Sequence, residues 1–165
     1  SFITLLPVFA KEILRIGASG LGFIAAGPGL GTIMGSFSLA ALGRVEARRS
    51  ILVTILIVFS VSLFVFAASE DFRLAFLCLV LVGALSTVFE TLLNTSIQLR
   101  VAEAYRGRVM GFYGLTGGGL RELGGMQAGF LAEWTSAPFA IETGAVILVV
   151  FGLFFLGPRL RRLAT

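Results

Sequence analysis

The chain has 165 residues, 57% of them hydrophobic and only 13% charged, with a mean hydropathy of +0.99 and a formal net charge of +4. Soluble domains carry about 25% charged and about 45–50% apolar residues, so this composition predicts an integral membrane protein. The absence of His, the single Cys78 and the lack of any Gly-Lys pair exclude His triads and His metal sites, internal disulfides and nucleotide-binding P-loops.

The first apolar run, Phe2 to Ala10, has nine residues, whereas a spanning helix needs about 20. No basic region precedes it, so it does not read as a signal peptide. It reads as the tail of a first span, which predicts a protein longer at its N-terminus. After the polar connection KEILRIGAS, the second span covers residues 21–42. Its Gly27, Gly31 and Gly35 fall four apart and form a small-residue stripe for close helix packing, with Pro28 as a kink.

The loop GRVEARR (43–49) carries Arg44, Arg48 and Arg49. The third span is 51–68, followed by the short mixed-charge loop SEDFR. The fourth, 74–99, holds Ser86, Glu90, Asn94 and Gln98 at four-residue intervals, flanked by Thr87 and Thr91. Each such step drifts by about 40°, so these residues form one slowly turning polar stripe. A stripe of this kind faces other helices or a wet cavity, never lipid.

Loop 100–108, RVAEAYRGR, is again basic, with Arg106 and Arg108. The fifth span, 109–132, is rich in glycine: Gly114 and Gly118, and Gly125 and Gly129, are pairs spaced for close packing. In its middle stand Arg121 and Glu122, with Gln127 beyond. One charge near a bilayer centre costs roughly 2.5–3.5 kcal/mol on insertion scales, so two adjacent ones need a function. At 1.5 Å per residue, Glu90 lies about 15 Å from Arg100, and Arg121 about 20 Å from Arg108. The two share a depth at which they can pair if their helices are neighbours. Arg121 and Glu122 point about 100° apart, so one is expected to face a cavity and the other a neighbouring helix. The sixth span is 139–156, and the tail carries Arg159, Arg161 and Arg162.

The arginines of loops 43–49 and 100–108 and of the tail outnumber Lys11, Arg15 and Arg73 on the other side by nine to three, which places the C-terminus in the cytoplasm. Taken in threes, the spans repeat: the second and fifth are glycine-rich, while the third and sixth are plain aliphatic helices that read as peripheral, lipid-facing supports. The triplets start from opposite sides, which predicts an inverted three-plus-three repeat, a transporter architecture.

The runs LLPVFAKEIL, GASGLGFIAAGPGLGTIMGS and NTSIQLRVAEAYRGRVMGFYGL, with RGRVMGFYGL (106–115) the most specific, resemble the second half of major facilitator superfamily transporters. The subgroup is that of the enterobactin exporter and related transmembrane secretion effectors. The resemblance implies an all-α, polytopic fold: the C-terminal six-helix half, residues 1–165, of a twelve-helix protein whose N-terminal half is missing. It implies alternating access, proton-coupled efflux of a small organic molecule across the bacterial inner membrane, and no cofactor beyond the proton gradient. Gly43 falls about where the superfamily often has a gating Asp, a departure that puts such a charge network in doubt here.

Burial favours the neutral form of a carboxyl and a nearby arginine the ionised form. Glu90 or Glu122, with an arginine partner that comes and goes, is therefore the candidate proton carrier. Ser86, Thr87, Asn94, Gln98 and Gln127 are the candidate cavity lining. A second class stays open, a non-transporting scaffold or partner subunit whose polar stripe only joins helices. No nucleophile–base pair supports an enzyme.

Overall fold

The computed structural model of the chain describes residues 6–8, 10, 11, 16–43, 49–134 and 137–156. The five elements it resolves in full are all helices: α1 (Ala18–Leu42), α2 (Arg49–Ala67), α3 (Phe72–Arg100), α4 (Glu103–Trp134) and α5 (Ala137–Leu156). They correspond to the second through sixth expected spans. Among the described residues, Ser19–Leu42, Ser50–Ala67 and Phe72–Arg100 are long and apolar enough to cross a membrane. Most of the first span, loop residues 44–48 with Arg44 and Arg48, the side chain of Arg49 and the tail from 157 lie outside the described residues.

Local chemistry sets the helix ends. α1 stops at Gly43, whose φ of 68° lies in the left-handed region open to glycine at no steric cost. This gives a backbone reason for glycine at the position where the resemblance implies a gating Asp. Between α2 and α3 the chain turns through Ala68–Asp71. There Ser69 Oγ donates to the Asp71 carbonyl at 3.1 Å, and Asp71 caps α3 by accepting from the backbone N–H groups of Arg73 and Leu74 at 2.7 and 3.1 Å.

One boundary differs from the sequence reading. Residues 103–108 are helical, so Arg106 and Arg108 stand on the first turns of α4 rather than in a loop. Only Val101 and Ala102 separate the two helices. The segment Glu103–Arg108 contains Glu, Ala and two Arg, all strong helix formers, and a run of charge does not by itself make a loop. At 32 residues α4 is roughly 48 Å long against a hydrocarbon core of about 30 Å.

The closest packing joins α1 to α3. Gly27 lies over Phe76 and Leu79, Gly31 over Val80 and Ala84, and Gly35 over Ala84, so the two helices run in the same direction. At Gly35 a Cβ would stand 2.6 Å from the Ala84 carbonyl oxygen, and at Gly31 it would stand 2.8 Å from the Ala84 nitrogen. The contact is reciprocal: Gly83 of α3 lies against the backbone of Pro28, where a Cβ would meet the Pro28 Cα at 2.8 Å. The glycine Cα–H groups thus face opposing carbonyls, a geometry that supports weak Cα–H···O bonds worth about 0.5–1 kcal/mol each. α2 packs on both α3 and α5, and α4 packs on α5.

The buried core follows helical spacing. On α3 it is Ala75, Cys78, Leu79, Val82 and Gly83; on α2 it includes Ile55, Ser62, Leu63, Phe66 and Ala67. Ile24 of α1 and Ile141 and Ala145 of α5 join the same cluster. The third and sixth spans are therefore not only lipid-facing supports. α2 exposes Val61, Phe64 and Val65 on one side and buries Leu63 and Phe66 on the other, which a uniformly apolar sequence does not distinguish.

Because Gly31 and Gly83 admit no side chain, Gly31→Val or Gly83→Val should lower stability by about 1–3 kcal/mol or prevent folding. Gly114→Ala, at a position with nothing within 4 Å, should be neutral or slightly stabilising. Thermal unfolding of the purified variants in detergent separates the two classes, and equal effects would contradict the assigned crossing.

Candidate functional site

Burial fades along α3 from one end to the other. Ala75 to Gly83 supply most of its core, Ala84 to Phe89 are half-buried, and Glu90 and Thr91 are exposed. Only Leu92 is buried beyond that point, and Gln98, Leu99 and Arg100 are exposed. The other helices follow the same gradient. Ile24 and Gly27, Leu63 and Phe66, and Ile141 and Ala145 all lie toward the Ser69–Asp71 end, while Ser36 to Ala41 of α1 and Val146 to Leu148 of α5 are mostly exposed. Among the described residues the bundle is closed at the Asp71 end and loosens toward the end that carries Arg100, Arg106 and Arg108.

The polar stripe lies where this opening begins. Ser86 and Thr87 are half-buried and turn their hydroxyls back onto their own helix, to the Val82 and Gly83 carbonyls at 2.8 and 3.1 Å. Gln98 donates through Nε2 to Asn94 Oδ1, one turn away. Ser96 Oγ donates to the Leu92 carbonyl at 2.7 Å. Glu90 is exposed one turn before Asn94. The helices packed against α3 bring little charge: α1 has no ionisable residue, and α2 has only Arg49 at its first position.

The side-chain hydrogen bonds of the stripe, from Ser86, Thr87, Ser96 and Gln98, run within α3. Those of Ser36, Ser38, Ser62, Thr116 and Thr143 likewise stay within one helix. Within the stripe Glu90 and Gln98 are exposed and Asn94 is half-buried. Hydroxyls bound to their own backbone hide little of their acceptor capacity, since each oxygen keeps lone pairs free.

The residues of the fifth span are placed differently. Arg121 and Glu122 belong to α4, but their side chains lie outside the described residues, so the expected pairing of Glu90 with Arg121 remains an expectation. Gln127 is exposed. Among the described residues no extensive packing links α4 to α3. At Gly114, Gly118 and Gly129 nothing lies within 4 Å of an added Cβ. The close approach expected at these positions is not made among the described residues, where α4 has α5 as its extensive neighbour; the surroundings of Gly125 lie outside the described residues.

The sequence reading missed Gly83, which receives the Pro28 backbone. Its signal was present: a lone glycine in the aliphatic run LVLVGAL, costly in a helix interior unless packing requires it. It also missed Ser60 of α2, which is buried with no hydrogen-bond partner for its hydroxyl.

With Cys78 replaced by Ala, cysteines at Thr91 and Gln98 should react with a membrane-impermeant maleimide added on the arginine-rich side. A cysteine at Val82 should stay unlabelled. Equal labelling at all three, or labelling at Val82 alone, would contradict the gradient of burial along α3.

A family model described as transmembrane secretion effector matches residues 1–165, the whole chain. No curated protein and no solved structure gives a significant match. An all-α chain in which three helices, among the described residues, are long and apolar enough to cross a membrane agrees with that match in fold class. The chain belongs to the transmembrane secretion effector family of major facilitator superfamily transporters.

Proposed function

We propose that this chain is the C-terminal six-helix half of a proton-coupled exporter of small organic molecules, related to the enterobactin exporter. In this reading residues 1–165 are one of two rocking halves, with the partner half on segments N-terminal to the chain. The protein sits in a bacterial inner membrane with its C-terminus and arginine-rich loops in the cytoplasm. The observation that carries the reading is Glu90. A carboxylate about 15 Å inside the arginine-bearing end of α3 is exposed on the loosening side of the bundle, in line with Asn94 and Gln98. An ionisable group at such a depth is costly unless it faces water or substrate.

Intrahelical satisfaction of the neighbouring hydroxyls also favours a wet path over an interhelical seam. The packing of α2 on α5, the third span on the sixth, is what an inverted repeat asks of two helices that exchange places under its pseudo-twofold axis. Arg121 and Glu122 are the second charged pair of the proposed pathway, one facing the cavity and one holding α4. Proton binding at Glu90 or Glu122 as the arginine partner comes and goes would couple the gradient to rocking.

Glu90→Gln and Glu122→Gln in the full-length protein test this. In everted vesicles, using a panel of small organic fluorophores, at least one variant should lose gradient-driven accumulation about tenfold or more, in line with the weight of a proton-transfer group. The same variant should retain energy-independent exchange. Full gradient dependence in both variants would overturn proton coupling through these carboxylates.

A further inference from the structure

The polar stripe and the tight crossing stand on the same face of α3. Glu90 follows Gly83 by seven residues and Asn94 follows it by eleven. At about 100° per residue, both return to within about 20° of it. Gly83 meets Pro28 of α1, so Glu90 and Asn94 continue the side of α3 that α1 grips. The same arithmetic holds on α1. Ser38 and Leu42 follow Gly31 by seven and eleven residues, and continue the side that meets Val80 and Ala84.

Side chains facing each other across two close-packed backbones are buried. Gly31, Gly35 and Gly83 are buried, but Ser38, Leu42 and Glu90 are exposed and Asn94 is half-buried. The two helices run in the same direction, and seven residues advance each by about 10 Å, so Ser38 and Glu90 stand at similar levels. Beyond the Gly35–Ala84 contact, α1 and α3 therefore bound a wedge that opens toward the arginine-bearing end. Ser38 Oγ donates to the Met34 carbonyl at 2.8 Å and keeps lone pairs free. The wedge thus carries a carboxylate and a hydroxyl acceptor beside the apolar Leu39 and Leu42.

Charge decides what fits there. α1 has no ionisable residue and α2 has only Arg49; the side chains of Arg49, Arg121 and Glu122 lie outside the described residues. On α3 the next cation after Glu90 is Arg100, ten residues on. Among the described residues Glu90 forms no ion pair, and no group of three His, Cys, Asp or Glu could hold a metal ion. An anion would meet like charge. A protonated organic amine fits, because its N–H groups donate charge-assisted hydrogen bonds to a carboxylate and its apolar body can lie along the leucines.

We propose that the wedge between α1 and α3 binds a protonated organic amine through Glu90, with Ser38 as a second acceptor, so that the substrates are amphiphilic amines. This rests on the reading of Glu90 as a pathway residue, and adds the class of molecule and the second wall of its site.

The full-length protein carrying Cys78→Ala and Leu42→Cys, in detergent and without a gradient, tests the proposal. The probes are dansylcadaverine, an amphiphilic primary amine, and its uncharged N-acetyl derivative. The amine should slow maleimide labelling at position 42 and the acetylated probe should not. With Phe37→Cys in place of Leu42→Cys, about 140° round α1, neither probe should change labelling. Adding Glu90→Gln should raise the half-protecting amine concentration about tenfold or more, the weight of a hydrogen bond to a charged group. Equal protection by both probes would overturn the proposal, and this comparison stands even if Glu90→Gln fails to fold. Unchanged protection in Glu90→Gln, or a Leu42→Cys protein that never labels, would overturn it as well. Amine protection without gradient-driven transport would sink proton coupling alone, and gradient-driven transport without amine protection would sink the amine site alone.

Discussion

The crossing of α1 over α3 is the constraint on which the other features of this bundle depend. Gly31 and Gly35 let the backbone of α1 reach the carbonyls of Val80 and Ala84, and Gly83 returns the contact to Pro28. In a bilayer, helices gain little from hiding apolar surface from lipid, so close backbone approach and its dispersion contacts carry the association. A proline here removes one backbone donor from α1, yet α1 runs on as one helix from Ala18 to Leu42. The glycine of the opposite helix leaves room for the Pro28 carbonyl at that level. Substituting either side of the crossing would separate the two helices that hold the rest of the core in register.

From that crossing the position of the polar stripe follows. The contacts of α3 with α1 run through Leu79, Val80, Gly83 and Ala84, and Ser86 stands just past them. Up to Gly83, α3 is clasped by α1 and α2; beyond it, side chains become half-buried and then exposed. Polar residues appear on α3 where its packing loosens, so Glu90 lies outside the Phe66–Leu79 core, in which a carboxylate would be desolvated. The same α3 residues that end the tight contact therefore begin the candidate pathway.

Much of this was legible in the sequence. The five long apolar runs returned as helices, because a membrane interior leaves the backbone few other ways to satisfy its hydrogen bonds. The four-residue spacing of Ser86, Glu90, Asn94 and Gln98 placed them on one side of α3, and the structure links Asn94 to Gln98 directly. Partner choice was not legible. Gly27, Gly31 and Gly35 have the same spacing as Gly114 and Gly118, yet of these only the first set meets an opposing helix, Gly27 its side chains and Gly31 and Gly35 its backbone. Spacing shows that a helix can be approached closely, and only the fold decides what approaches it. Charge likewise assigned Glu103–Arg108 to a side of the membrane, while its helix formers determined its backbone. Ser60 and Ser62 stood out as polar interruptions of α2, but their burial did not, because so few polar residues mark no inner face on that helix.

The central claim is that Glu90 is a wet, proton-exchanging carboxylate on the open side of the bundle. Infrared difference spectroscopy of the full-length transporter in lipid, comparing acidic with alkaline buffer, reads it most directly. The account predicts a protonated-carboxyl band that disappears selectively in Glu90→Gln while the amide bands stay unchanged. A spectrum in which Glu90→Gln removes no carboxyl signal would contradict it.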